Sequence, residues 1–201
     1  MRTLWVLTLT AVMLLATLAT PAAASHRPRS HHHKPTVVDL VVKASGAKGF
    51  DRNPYDYDIL REALKATGLA GDLAKAEKIT VWAPNDRAFR RLARDLGWKG
   101  KGGEKAVFRF VARATGDLLP DVLRYHVTPG KLKARKVLKL AERRAEVPTL
   151  LGETIRLTPR LRLVDKEPDL INPKLREPLD LRARNGVVHT IGRVLIPVDL
   201  P

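Results

Sequence analysis

Between residues 36 and 127, apolar positions recur every three or four residues, which is the spacing of helices that bury one face. Thr36 and Asn85 precede two of these segments, and their side-chain oxygens can accept from the free N–H groups of a first helical turn. A β-branched and aromatic run at 78–83 ends at Pro84 and predicts a strand. The predicted helices span 36–44, 57–73, 85–96, 104–114 and 118–127.

From residue 131 the apolar spacing changes to two, which is typical of strands with one buried face. Between residues 154 and 163 the apolar side chains occupy odd positions, so this stretch predicts a half-buried strand pair. Arg156, Arg160 and Arg162 fall at even positions and are therefore expected on its outer face. A proline-rich loop is expected at 167–178.

The end of the chain carries the strongest hairpin signal. Asn185-Gly186 predicts a two-residue type I′ turn, because both residue types tolerate a positive φ. That turn would set Arg182 opposite His189. The apolar side chains of 187–191 point to both faces, which favours a central strand covered on both sides.

The first 35 residues differ from the rest of the chain. Residues 1–24 combine a basic second position, an apolar stretch and small residues before Ser25, which predicts a secretory signal peptide. Residues 25–35 are basic, histidine-rich and free of apolar side chains, so a disordered linker is expected. Dense histidines can bind copper, nickel or zinc, but without a second type of ligand group a solvated linker is favoured. The folded domain is expected at 36–200, with no transmembrane anchor, in a secreted protein.

The charge of the chain indicates its partners. Lys and Arg number 37 against 21 Asp and Glu, for a net charge of +16, which favours acidic polysaccharides or wall polymers. A nucleic acid partner is disfavoured, because exposed aromatic residues do not interleave with the basic ones. The residues expected to bind polyanions are Arg156, Arg160, Arg162, Lys131, Lys133 and Arg135. Four arginines follow Asn85 along the predicted helix: Arg87, Arg90, Arg91 and Arg94. They either form a solvated helix face or bind a ligand, and the sequence leaves both interpretations open.

Residues suited to catalysis are scarce. The chain has no cysteine, no Gly-X-Ser-X-Gly elbow and no glycine loop followed by Lys-Ser/Thr. His126 and His189 lie in apolar segments, where a hydrogen-bonded structural histidine is favoured over a catalytic one. The sequence therefore predicts no catalytic residue, no metal site and no cofactor. The alternative hypothesis is a small-ligand or enzymatic site in a cleft near His126.

Three motifs resemble those of the fasciclin-like adhesion domain. The segment 80–89, Thr-Val-Trp-Ala-Pro-Asn-Asp-Arg-Ala-Phe, is similar to its first conserved box. Tyr125-His126 is similar to its central Tyr-His pair, and 185–197 to its second box. Gly192 departs from the pattern, because an acidic residue is common at that position.

The resemblance implies an α+β fold, a fasciclin-like β-wedge or sandwich with helices packed on one side. It also implies a secreted, non-catalytic adhesion or binding module that contacts extracellular matrix or cell envelope. An Asp-Ile pair and the Tyr-His segment are implicated in integrin binding in some animal members. The matching candidates for contact with an extracellular protein are Asp180, Leu181, Tyr125 and His126. Structural roles are expected for Asn85, Asn185, Gly186 and His189.

Overall fold

The computed structural model describes residues 34–46 and 49–199. The predicted signal peptide lies outside the described residues, as does the predicted linker up to residue 33. Within the described ranges, no helix has both the length and the apolar character needed to cross a bilayer.

Helices dominate the first two thirds of the domain and strands the last third. The helices are α1 (Val37–Ala44), α2 (Asp58–Ala66), α3 (Leu69–Lys75), α4 (Asp86–Asp95), α5 (Glu104–Thr115), α6 (Leu119–Tyr125) and α7 (Ala134–Glu142). The strands are β1 (Ile79–Pro84), β2 (Val127–Pro129), β3 (Glu146–Pro148), β4 (Thr154–Leu157), β5 (Leu163–Val164), β6 (Leu175–Arg182) and β7 (Gly186–Ile191).

The strands form two sheets. The larger has the order β2-β1-β7-β6, with β1 and β7 parallel and the outer pairs antiparallel. The smaller has the antiparallel order β3-β4-β5, which includes the predicted strand pair at 154–163. Every residue of β7 is buried, so the predicted central strand is confirmed. The α+β class is confirmed as well.

The larger sheet buries a different core on each face. Successive side chains of a strand point to opposite faces, so Val81 joins the helical core while Trp82 joins a second core. The helical core contains α1 to α6 and the side chain of Val188. The second core contains Ile155 and other residues of the smaller sheet. The sheet is therefore the middle layer of the domain.

Two predicted helix caps are present. Thr36 accepts from the Asp39 N–H, and the Asp39 carboxylate accepts from the Thr36 N–H, which completes a capping box. Asn85 accepts from the Ala88 N–H at 3.0 Å and starts α4. The first cap begins α1, and the second positions a helix that carries four arginines.

The predicted type I′ turn is wrong. Arg182 pairs with Val187 instead of His189, and neither Asn185 nor Gly186 has a positive φ. The Asn185 side chain accepts from the Val37 N–H and donates to the carbonyls of two residues near the end of α3. A Cβ on Gly186 would collide with the carbonyl oxygen of Ile79. Tertiary contacts with α1, α3 and β1 therefore explain why asparagine stands at residue 185 and glycine at residue 186.

Three further boundaries differ from the sequence predictions. The segment after residue 131 was expected to have strand periodicity, but 134–142 form α7, which buries Val137 and Ala141 four residues apart. The segment 57–73 is divided at Gly68, as the glycine predicts, because a φ of 72° there ends the first helical part. Gly71, the other glycine expected to break the segment, lies inside α3 instead. The proline-rich loop is shorter than expected, because β6 begins at Leu175.

Candidate functional site

The face of α4 that points away from the core carries four arginines. Phe89, Leu92 and Ala93 are buried in the helical core. Because an α-helix has 3.6 residues per turn, the intervening positions turn towards solvent. These positions hold Arg87 and Arg94, which are exposed, and Arg90 and Arg91, which are half-buried.

Three adjoining hollows of about 230, 300 and 410 Å³ lie against this face. The first two share Arg91, Arg176 and Gly192, and the last two share Tyr55 and Arg87. We call this continuous surface the arginine cleft. Its basic lining residues are Arg52, Arg87, Arg90, Arg91, Arg94, Arg162, Lys174, Arg176 and Arg193.

The topology of the larger sheet assembles this cleft. Because β1 and β7 are parallel and paired from Ile79 to Pro84, both strands end at the same edge of the sheet. The helix α4 follows β1 there, and Gly192 and Arg193 follow β7. The start of β6, which is antiparallel to β7, lies at the same edge. Three segments distant in sequence thus present basic side chains to one surface.

Few acidic side chains compensate this charge. Among the described residues that line the three hollows, one is acidic: Glu177, whose carboxylate accepts from the Leu179 N–H at 3.0 Å. Arg90 pairs with Glu104 at 3.1 Å, and Arg193 pairs with Asp95 at 2.5 Å. The remaining basic residues give the cleft a strong positive potential.

Arg91 lies at the centre of this potential. Its Nη1 donates to the Gly192 carbonyl at 2.7 Å. Burial lowers the pKa of its guanidinium, and so do the nearby charges of Arg87, Arg193, Arg176 and Arg94. An anion beside Arg91 would relieve this repulsion.

An exposed aromatic ring lies beside the cations. Tyr55 is 60% exposed, and the Arg87 guanidinium carbon lies 5.9 Å from its ring centroid. The Arg87 Nη1 also donates to the Tyr55 hydroxyl at 3.2 Å. The cleft therefore offers one apolar face together with its guanidinium donors.

One of the six residues predicted to bind polyanions lines the arginine cleft: Arg162, whose Nη1 donates to the Asn172 carbonyl at 3.1 Å. Arg156 is exposed on β4, and Arg160 is exposed in the turn that follows. The Lys131 Nζ donates to the Arg184 carbonyl at 2.6 Å. Lys133 and Arg135 are exposed at the start of α7. The sequence did not single out Arg52, Lys174, Arg176 or Arg193.

His126 is enclosed by backbone partners. Its Nδ1 lies 2.7 Å from the Val122 carbonyl, and its Nε2 accepts from the Leu195 N–H at 2.9 Å. Both contacts are satisfied by the neutral ring with its proton on Nδ1. Burial lowers the pKa of His126 to about 4, so the ring is neutral at physiological pH. The imidazole ties α6 to the segment after β7.

His189 is held in a similar way on β7. Its Nε2 lies 2.7 Å from the Leu132 carbonyl, and its Nδ1 accepts from the Asp180 N–H at 3.2 Å. The ring stacks on Trp82 with centroids 5.4 Å apart. Burial lowers its pKa as well. Neither His126 nor His189 lines the arginine cleft.

The residues matched to integrin contacts are largely covered. Tyr125 is fully buried, and its hydroxyl donates to the Thr154 carbonyl at 3.0 Å. Asp180 has a φ of 57°, pairs with Arg182 at 3.0 Å and accepts from the Ala134 N–H. Leu181 is half-buried and pairs with Val188 in the sheet. These side chains, with His126, connect layers of the domain and do not form one exposed patch.

A buried acidic cluster lies beneath α4. Carboxylate oxygens of Asp56, Asp58 and Asp86 lie within 4.8 Å of one another. Burial raises the pKa of Asp86 to about 9, and a hydrogen bond with Asp56 contributes, so Asp86 is protonated at neutral pH. Arg61 pairs with Asp58 at 2.7 Å. Such oxygens suit hard cations, but at neutral pH a cation would have to displace the Asp86 proton.

Two relatives resemble most of this chain in sequence. The protein sll1483 of Synechocystis sp. is 29% identical over 162 residues, which are 81% of this chain and 75% of that protein. The transforming growth factor-beta-induced protein ig-h3 of Sus scrofa is 29% identical over 164 residues. That match covers 81% of this chain but 19% of ig-h3, so the chain spans about a fifth of that relative.

The fold is shared with a solved structure. A FAS1 domain pair from the insect cell adhesion molecule fasciclin I superimposes with a TM-score of 0.56 at 15% sequence identity. The match covers 82% of this chain and 51% of the domain pair. The model of the fasciclin domain matches residues 55–197, which is more than half of the sequence. This chain therefore belongs to the fasciclin domain family.

Proposed function

We propose that this protein is a secreted, non-catalytic adhesion module that binds acidic polymers outside the cell through the arginine cleft. The observation that carries the proposal is the lining of the cleft. Among the residues that the structure describes, nine basic side chains surround the three adjoining hollows and one lining residue is acidic. A surface with that excess of charge attracts extended polyanions and releases their counterions on binding.

The residue types of the cleft favour oxyanions. Guanidinium groups donate two parallel hydrogen bonds to phosphate, sulfate or carboxylate, which a lysine ammonium group does not. Arg87 and Arg94 are exposed, and neither has a carboxylate partner among the described ion pairs. Acidic polysaccharides and wall phosphopolymers carry such groups at regular intervals, so several arginines could bind along one chain.

Three further points support an extracellular, non-catalytic role. The predicted signal peptide would export the chain. The solved relative in fold comes from a cell adhesion molecule. Both nitrogens of His126 and of His189 contact backbone groups, which leaves neither ring free to act as a general base.

Charge reversal on α4 tests the proposal. We expect the double variant Arg87→Glu and Arg94→Glu to elute from a heparin column at much lower salt than the wild type, with at least about tenfold weaker binding, because two charge-assisted contacts are lost. The matched control, Arg135→Glu with Arg156→Glu, changes the net charge equally at exposed positions outside the cleft. Equal shifts for the two pairs would contradict binding at the cleft, and melting curves would verify that both variants fold.

A further inference from the structure

Two guanidinium groups converge on one glycine at the centre of the arginine cleft. We infer that Arg91 and Arg176, which approach each other across Gly192, bind a single tetrahedral phosphate or sulfate group. The inference rests on the proposed function and names the chemical group that the cleft recognises. It concerns one position within the cleft, where a glycine separates two guanidinium groups.

The contacts at Gly192 define this position. A Cβ at residue 192 would lie 3.1 Å from the Arg176 Nε and 3.4 Å from the Arg91 Nη1. The two side chains therefore converge directly above the glycine, and a side chain longer than a methyl group would enter the space between them. Because Gly192 does not have a positive φ, the backbone itself does not require glycine there.

Neither guanidinium has a carboxylate partner within the described part of the chain. The ion pairs near the cleft use Arg90 and Arg193 instead. Arg91 donates one hydrogen bond to the Gly192 carbonyl, which fixes its orientation and leaves other N–H groups free. An acidic side chain at residue 192 would fill the space and neutralise both cations. The glycine at this position keeps the site open and charged.

The surrounding hollow favours an oxyanion on a larger molecule. Its volume is about 230 Å³, and Arg162, Lys174 and Arg193 line it beside the central pair. A water molecule has a share of about 30 Å³ in the liquid, so the hollow has room for an oxyanion and part of the group that carries it. A carboxylate presents one planar edge of two oxygens to a guanidinium fork, whereas phosphate and sulfate present three or four oxygens around a tetrahedral centre and can meet two forks at once.

The test places a carboxylate in the site. We expect Gly192→Asp to weaken binding of inorganic phosphate, pyrophosphate and sulfate by tenfold or more, as measured by calorimetry on the purified protein. Gly192→Ala is the matched control and should change affinity less than threefold, because its methyl group meets side-chain atoms of Arg91 and Arg176 at 3.1 to 3.4 Å, and small side-chain movements relieve contacts of that length. Arg91→Lys with Arg176→Lys keeps the charge but removes the forks, and should weaken binding about tenfold.

The outcomes separate this site from the proposed function. If Gly192→Asp and the double lysine variant bind these anions as the wild type does, or the wild type binds none of them, the inference is overturned. Heparin retention that still depends on Arg87 and Arg94 would then leave polymer binding intact. If anion binding depends on Gly192 but heparin retention does not depend on Arg87 and Arg94, the anion site is supported and the proposed polymer binding is contradicted. Parallel titrations with phosphate and sulfate identify which anion is preferred.

Discussion

Asp86 shows how much one residue depends on its surroundings. From sequence it is an acidic residue in the first turn of α4, where a carboxylate is stabilised by the helix dipole. In the structure it is completely buried, accepts from the Ile59 N–H at 2.9 Å and adjoins Asp56. Burial and the neighbouring carboxylate raise its pKa to about 9, so the protonated acid is the stable form.

We predict that Asp86→Asn removes part of the pH dependence of stability. Because the folded pKa of Asp86 is raised above its ordinary value of 3.8, its contribution is fully present below pH 3.8 and is lost as the pH rises towards 9. Asparagine keeps the acceptor for Ile59 and cannot ionise. Thermal melts between about pH 5 and 9.5 should show a flatter profile for the variant, because asparagine has no proton to release in this range.

The control for that experiment is Asp72→Asn, which changes an exposed carboxylate on α3. Its pH profile should parallel that of the wild type. Parallel profiles for Asp86→Asn and the wild type would show instead that Asp86 is ionised in the folded protein.

His126 responds to pH in the opposite direction. Its pKa is lowered from 6.5 to about 4, so the unfolded chain takes up a proton that the folded protein excludes. Stability should therefore fall as the pH decreases from 6.5 towards 4. We predict that His126→Ala loses about 1–3 kcal/mol at pH 7, because the Val122 carbonyl and the Leu195 N–H lose their partner. Urea denaturation at pH 7 and pH 5 measures both effects. If the variant is as stable as the wild type at pH 7, the hydrogen bonds of His126 do not stabilise the contact between α6 and the segment after β7.

At the scale of the element, the sequence predicts a helix correctly where residues close in sequence determine its start. Thr36 and Asn85 precede their helices because a side-chain oxygen satisfies N–H groups three residues away. The helix α7 was missed because its buried face consists of two residues, Val137 and Ala141, within a basic segment. Its amphipathic pattern is therefore weaker than that of α4, whose buried face has a longer apolar run.

Asn185 gives the sharpest test at this scale, because the two interpretations of the turn predict different results. In a type I′ turn Asn185→Gly would be tolerated, since glycine adopts a positive φ freely. In the structure the same change removes three hydrogen bonds, to Val37, Leu73 and Ala76. We predict that Asn185→Gly destabilises the domain by at least about 1–3 kcal/mol, the cost of leaving buried backbone groups unpaired. Chemical denaturation measures this loss. A variant as stable as the wild type would support the type I′ turn that the sequence predicts.

At the scale of the whole molecule, the sequence indicated the charge but not its location. A net charge of +16 predicts affinity for polyanions whatever the fold. Of the residues chosen from strand alternation, Arg162 lines the arginine cleft. The other walls come from α4, β6 and the segment after β7, and parallel pairing of β1 with β7 brings them together. Parallel pairing joins residues about 100 positions apart, and no local pattern encodes it.

The pH dependence of polymer binding separates the arginine cleft from the other basic parts of the chain. Guanidinium groups stay charged between about pH 5.5 and 8, whereas histidine is the side chain whose charge ordinarily changes in this range, and residues 25–35 contain four histidines. The buried rings of His126 and His189 have lowered pKa values and add little positive charge in this range. We therefore predict that heparin affinity at fixed salt changes less than about twofold between pH 5.5 and 8. A chain that begins at residue 34 serves as the control, because it lacks those histidines and keeps the cleft. A steep gain in affinity below pH 6.5 in the full chain, absent from the shortened one, would assign the binding to the histidine-rich segment instead.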